Sequence, residues 1–203
     1  MKIYTMPGAC SLSDHIALEW IGKPFEVEVL THDQTKQPEF LKLNPSGAVP
    51  VLVDGDMTLT QNAAILNYLA DVAPDSHLGG DGSPKSRAEV NRWLAFFNAD
   101  VHPAFHPLFG ASAYLKDDAA IEKTKDAAKK KLRSLFERAE QQLAGKEWIT
   151  GTRSIADPYL FVVFQWAKKF NVDLTGFDNL AAFDKRMAAD EGVQRALRSE
   201  GLI

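Results

Sequence analysis

The feature that most constrains this 203-residue chain is a change in hydrophobic period part-way along it. Up to about residue 73, short strand-like runs alternate with helical ones, and beyond about residue 86 only helical spacing remains. Lys2 to Met6 reads as a strand broken by Pro7-Gly8. Ser11 with Asp14 three residues on has capping-box spacing and opens a helix to about Ile21, stopped by Gly22 and Pro24. Phe25, Val27 and Val29 alternate with Glu26 and Glu28, the mark of a half-buried strand. Pro38 to Leu43 reads as a short helix, and Asn44-Pro45-Ser46-Gly47 as a turn. Val51 to Val53 and Met57 to Thr60 form a hairpin through Asp54-Gly55, and a helix from Gln61 or Asn62 runs to about Val72. The order β-α-β-α-β-β-α implies a small mixed sheet with helices on its faces.

Residues 76–86 read as a linker, rich in Gly, Ser, Pro and Asp, dividing domains at 1–75 and 87–203. The second domain reads as all helical. One helix spans Arg87 to about Gly110, another spans Asp118 to Leu143, and a third is opened by a Ser154/Asp157 capping box. That third helix is apolar nearly all round and belongs at the domain's centre. One or two shorter helices follow, to about Arg198. The Lys129-Lys130-Lys131 run reads as a solvated face.

Composition excludes several classes. A net charge of −4 gives no general affinity for nucleic acid, and no run of about 18 apolar residues suggests a membrane span. Asp14, His15 and Glu19 interrupt any signal-peptide core, so a cytoplasmic location is expected. Cys10 is the one cysteine, which rules out an internal disulfide and a thiolate zinc site. His102 and His106 share helical spacing without a third ligand, so no metal is expected.

Chemistry concentrates at three places. Cys10 stands between a strand end and a helix start, where the positive pole of the helix should lower its thiol pKa. The same position also suits a small buried residue. Cys10-x-x-Ser13 lacks a second thiol, so a disulfide formed there would need a resolving thiol from outside, such as glutathione. Val49-Pro50 precedes a strand, and a cis bond there would offer the Val49 backbone to an extended peptide, although an ordinary turn proline fits too. Gln61-Asn62, at a strand-to-helix junction, suits a carboxylate or a plain N-cap.

Pro7-Gly8-Ala9-Cys10-Ser11-Leu12, Asn44 through Leu52, Leu59 through Ile65 and Ser154-Ile155-Ala156-Asp157, in this order, resemble the glutathione S-transferases, most closely the bacterial beta class. The resemblance covers essentially the whole chain. It implies an α/β thioredoxin-like domain that binds glutathione as co-substrate, an all-α domain that forms the pocket for a hydrophobic electrophile, and a homodimer. It places the cis proline at Pro50, with Val49 pairing the cysteinyl backbone of glutathione. It places the γ-glutamyl carboxylate at Gln61 and Asn62, where serine is usual at the second position, and the glycyl carboxylate near Lys36. Ser11 joins Cys10 and the helix N-terminus as a candidate thiolate donor. The class's catalytic histidine falls on His102, followed here by Pro103 in place of the usual lysine. His106 is a further candidate one turn on, Asp100 a candidate for a partner subunit's glutathione, and Phe105 and Phe109 candidates for the electrophile pocket. The implied activity is conjugation of the glutathione thiolate to small electrophiles. The alternatives are thiol–disulfide exchange or reductive dehalogenation through a Cys10 mixed disulfide, and a non-catalytic binding protein on the same fold.

Overall fold

The computed structural model describes residues 1–203. Strands β1 (Lys2–Thr5), β2 (Glu26–Val29), β3 (Val51–Asp54) and β4 (Met57–Thr60) form one sheet in the order β2-β1-β3-β4. β1 and β2 are parallel, and β3 runs antiparallel to both β1 and β4. The helix α1 (Leu12–Ile21) supplies the crossover from β1 to β2, as a parallel pair requires. α2 (Pro38–Leu43) precedes β3, and α3 (Asn62–Val72) follows β4. The period-two pattern sorts the two faces. Ile3 and Leu52, paired in register, join the main core, whereas Val51, Leu30 and Phe40 form a small second cluster with Tyr4 packed against it. β2 lies at the edge, which is why Val29 is exposed despite its alternating neighbours.

The helical half comprises α4 (Pro84–Phe96), a π turn (Phe97–Val101), α5 (His102–Ala104), α6 (Asp118–Leu143), α7 (Ala156–Lys169), α8 (Asp178–Ala189) and α9 (Glu191–Ser199). α7 is buried from Ala156 through Phe164, as its uniform apolarity requires. The long helix expected over Arg87–Gly110 is shorter and interrupted. Pro103 has no N–H to return to the preceding turn, and a π turn stands directly before α5. α4 also begins earlier than expected. Ser83 caps it by accepting from Ser86 N–H at 3.1 Å, so the last residues of the expected linker are helical.

The two capping boxes come out differently. At α7 the reciprocal half forms: Asp157 accepts from Ser154 N–H at 2.8 Å, from Ser154 Oγ at 3.0 Å and from Ile149 N–H at 2.9 Å. At α1 the box is absent. The Ser11 hydroxyl is buried and lies 2.8 Å from that of Thr5, while Asp14 is fully buried.

The halves do not have separate cores. One cluster of 43 buried residues runs from Ile3 in β1 to Ala196 in α9, through the packing of α1 on α7 and α9. A buried polar knot reinforces this joint: Glu200 Oε1 accepts from Thr5 Oγ1 at 2.7 Å and lies 3.0 Å from His15 Nδ1.

Asp157→Ala should lower the free energy of unfolding in urea by about 2–4 kcal/mol, because it orphans buried donors at the start of the central helix. A change within experimental error would contradict the role given to this carboxylate.

Candidate active site

The segment that carries Cys10 is a tight link between β1 and α1. Gly8 takes a left-handed φ of 69°, and Ala9 N–H returns to Met6 O at 3.0 Å. The Trp166 indole, on α7, donates to Gly8 O at 2.8 Å and so fixes this link to the helical half. Cys10 is half-buried at the head of α1, with its Sγ 3.9 Å from Val49 O.

The sulfur's electrostatics correct the reading from sequence. The N–H groups of Cys10 and Ser11 do stabilise a thiolate, as the helix N-terminus should. Burial opposes them more strongly, and the Asp14 carboxyl adds to it, so the thiol is pushed up to about 12. Cys10 is therefore a neutral thiol at physiological pH.

Two adjoining hollows meet at Cys10. The first is lined by Cys10, Val49, Pro50, Gln61, Asn62, Asn98, His102 and Tyr159, with Asn44, Ser46 and Ala48 along one side. The second, of about 310 Å³, is lined by Met6, Pro7, Gly8, Ala9, Cys10, His102, Phe109, Trp166 and Lys169. The first is mainly polar and the second mainly aromatic and apolar.

On the polar side, the Val49-Pro50 bond is cis, and the Val49 N–H bonds to no protein group. Gln61 holds a φ of 75°, a left-handed conformation that is uncommon for a residue with a side chain and frequent at functional sites. α3 begins directly after it, with first-turn N–H groups that have no intrahelical acceptor. The Asn62 side chain is turned the other way. With its nitrogen facing the acceptors, the amide donates to Asp14 Oδ2 at 2.6 Å and to Cys10 O at 3.1 Å, and its oxygen accepts from Ser13 Oγ at 3.0 Å. The Asn62 side chain, expected with Gln61 to hold a carboxylate, thus buttresses α1, and Gln61 with the start of α3 faces the hollow.

His102 bridges both hollows. Its Nδ1 lies 2.7 Å from Tyr159 Oη, which is itself 3.3 Å from Asn98 Oδ1, and its ring packs 4.8 Å from Trp166. Burial first, and the neighbouring His106 second, lower its pKa to about 4. The imidazole is neutral at pH 7, with Nδ1 engaged and Nε2 left free.

The chain matches the model of the glutathione S-transferase N-terminal domain over residues 1–71 and that of the C-terminal domain over residues 97–191. It is 56% identical, over the whole length of both chains, to glutathione S-transferase GST-4.5 of Xanthomonas campestris pv. campestris. The chain belongs to the glutathione S-transferase family. Solved structures of the family agree. The glutathione S-transferase from Xylella fastidiosa, 56% identical, superposes with a TM-score of 0.97 over 100% of this chain and 99% of that one. The bacterial beta class enzyme of Sphingomonas chungbukensis, 36% identical, gives 0.88 over the whole of both chains.

Against that family's frame, Cys10, Val49, Pro50, Gln61 and His102 come together. Lys36 lies just outside, where its ammonium donates to Gly47 O at 2.7 Å in the segment leading to Val49. Ser11 does not reach the cleft as a side chain. Its hydroxyl is buried behind the link and accepts from Met6 N–H at 3.2 Å. His106 is exposed beyond the end of α5, in the turn that precedes Pro107, and Asp100 is exposed outside the cleft. Phe109 lines the apolar hollow, but Phe105 is fully buried behind it, their rings stacked at 5.9 Å. Sequence reasoning missed Tyr159, Trp166 and Lys169. The available signal was a phenol and an indole in an otherwise apolar helix, each needing a polar partner once buried.

In a proton NMR titration, His102 should take up its proton near pH 4, so that folding stability falls as pH drops from about 6.5 toward 4 because the unfolded chain protonates first. A midpoint near the ordinary 6.5 would contradict the described environment.

Proposed function

We propose that this chain conjugates the glutathione thiolate to small hydrophobic electrophiles. The observation that carries the reading is the meeting of a peptide-shaped polar hollow and an apolar hollow at Cys10 and His102. Glutathione lies extended along the polar side. Its γ-glutamyl carboxylate meets the Gln61 side chain and the start of α3, and its cysteinyl backbone pairs with the N–H and C=O of Val49. Its glycyl carboxylate points toward Lys36. The electrophile sits on Trp166 and Phe109.

The work of such a site is to favour the thiolate of glutathione over its thiol. Cys10, itself a neutral thiol, offers an S–H donor rather than a competing thiolate. His102, also neutral, turns Nε2 to the cleft while its Nδ1–H donates to Tyr159, whose own hydroxyl donates to Asn98 Oδ1; Nε2 is thereby the acceptor that takes the glutathione thiol proton on its way to solvent. The thiolate forms a bond to the electrophilic carbon, a leaving group departs with its electron pair, and the thiol proton passes to solvent. A Cys10 mixed disulfide is the weaker reading, because a thiol raised to about 12 is a poor attacking group at neutral pH.

The same reading includes residues 1–75 as the glutathione domain and 87–203 as the electrophile domain, a homodimer, a cytoplasmic location and a role in detoxification. No helix is long and apolar enough to cross a membrane.

Cys10→Ala should lower kcat/KM for chlorodinitrobenzene by about ten- to a hundredfold, the scale of one lost hydrogen-bond donor, and leave measurable turnover. Complete loss of turnover, with a glutathione adduct on wild-type Cys10, would assign the chemistry to the mixed disulfide.

A further inference from the structure

The apolar hollow contains one full charge that the proposed chemistry does not use. Lys169 ends α7 and lines this hollow with Cys10, His102, Trp166 and Phe109. His102 is neutral there, so the sign of the hollow is set by the lysine. The neighbouring lysine behaves differently. Lys168 is held by Asp184 at 2.7 Å, and the other oxygen of that carboxylate is taken by Gln165. Lys169 makes no ion pair and donates to none of the last carbonyls of α7. Its contact is the Phe170 ring, 6.0 Å from the ammonium. A lysine in the last turn is favoured by the helix macrodipole, but that alone does not place it on the wall of the cleft.

One wall of the hollow is aromatic, with Phe109 set at 87° to Trp166. The Trp166 indole is held by Gly8 O, and its ring is packed by His102, Phe105 and Phe109 at 4.8, 5.4 and 5.1 Å. The surface such a wall offers to an apolar ligand is mainly the exposed Phe109 ring, with Trp166 buried beside it. Lys169 is exposed at the mouth of this hollow with no ion-pair partner, so it is free to meet an anion, with an attraction that salt screens.

We propose that Lys169 selects electrophiles that carry a carboxylate, binding that group while the apolar body of the molecule lies in the hollow against Phe109. This substrate class rests on the transferase reading. For a halogenated nitrobenzoate, the glutathione sulfur bonds to the ring carbon and the carbon–halogen bond breaks. The halide leaves with the electron pair, and the carboxylate remains on the ammonium throughout.

The test compares kcat/KM for chloronitrobenzoate with that for chlorodinitrobenzene, which share a leaving group and differ in charge. In Lys169→Met the ratio of the anionic to the neutral substrate should fall about two- to fivefold relative to wild type, as expected for one exposed charge contact. Lys169→Arg should keep the ratio, and Lys169→Glu should depress it further. In wild type the ratio should also fall with added salt, which a purely structural lysine would not produce. An unmoved ratio in the Met and Glu variants, with chlorodinitrobenzene still turned over, would overturn the proposal alone. Absence of turnover of both substrates by wild type would overturn it together with the transferase reading.

Discussion

The geometry of the cleft depends on the packing of α1 against the buried helix α7. Cys10 stands at the head of α1, while Tyr159 and Trp166 project from α7, so this one joint sets the distance between the sulfur and the aromatic wall. The Trp166 indole bonded to Gly8 O pins the joint on the cleft side, and Glu200 bonded to Thr5 pins it from behind. Asp157 secures the start of α7 from within. The continuous core makes the sheet half and the helical half one packed body, whatever their separate sequence patterns suggest.

Desolvation decides the electrostatics. The head of a helix is an anion site when charge there remains solvated or paired. At Cys10 the favourable N–H groups are outweighed by burial and by Asp14 beneath, so the same architecture that positions the sulfur keeps it protonated. Burial acts on His102 in the opposite chemical sense and also leaves it neutral. The centre of the cleft therefore presents two neutral groups, the thiol of Cys10 and the imidazole of His102. The one full positive charge, Lys169, lines the apolar hollow.

Much of this was legible in the sequence, for physical reasons. The strand and helix periods, Gly22 closing α1, the Asp54-Gly55 hairpin and the limits of α6 follow from local rules that tertiary packing left intact. Cys10, Val49, Pro50 and Gln61 sit at junctions that local rules also mark, whereas His102, inside what reads as one long helix, was placed by the family resemblance alone. What local rules could not supply was the direction of side chains. Ser11 and Asn62 carry the right groups at the right places, yet their hydroxyl and amide turn inward, because the buried Met6 N–H and Asp14 carboxyl need partners. Tyr159 and Lys169 were hidden inside a helix whose apolarity advertised only a core. The thiol pKa could not be read either, since the helix pole is visible in sequence and the depth of burial is not.

The most direct test is a spectroscopic titration of the glutathione complex, following thiolate absorbance in the ultraviolet, with wild type beside Cys10→Ala. The account predicts a thiolate that appears well below the pKa of free glutathione in both proteins, because the sulfur that ionises belongs to the ligand. A thiolate seen only when Cys10 is present, or none in the complex, would contradict it.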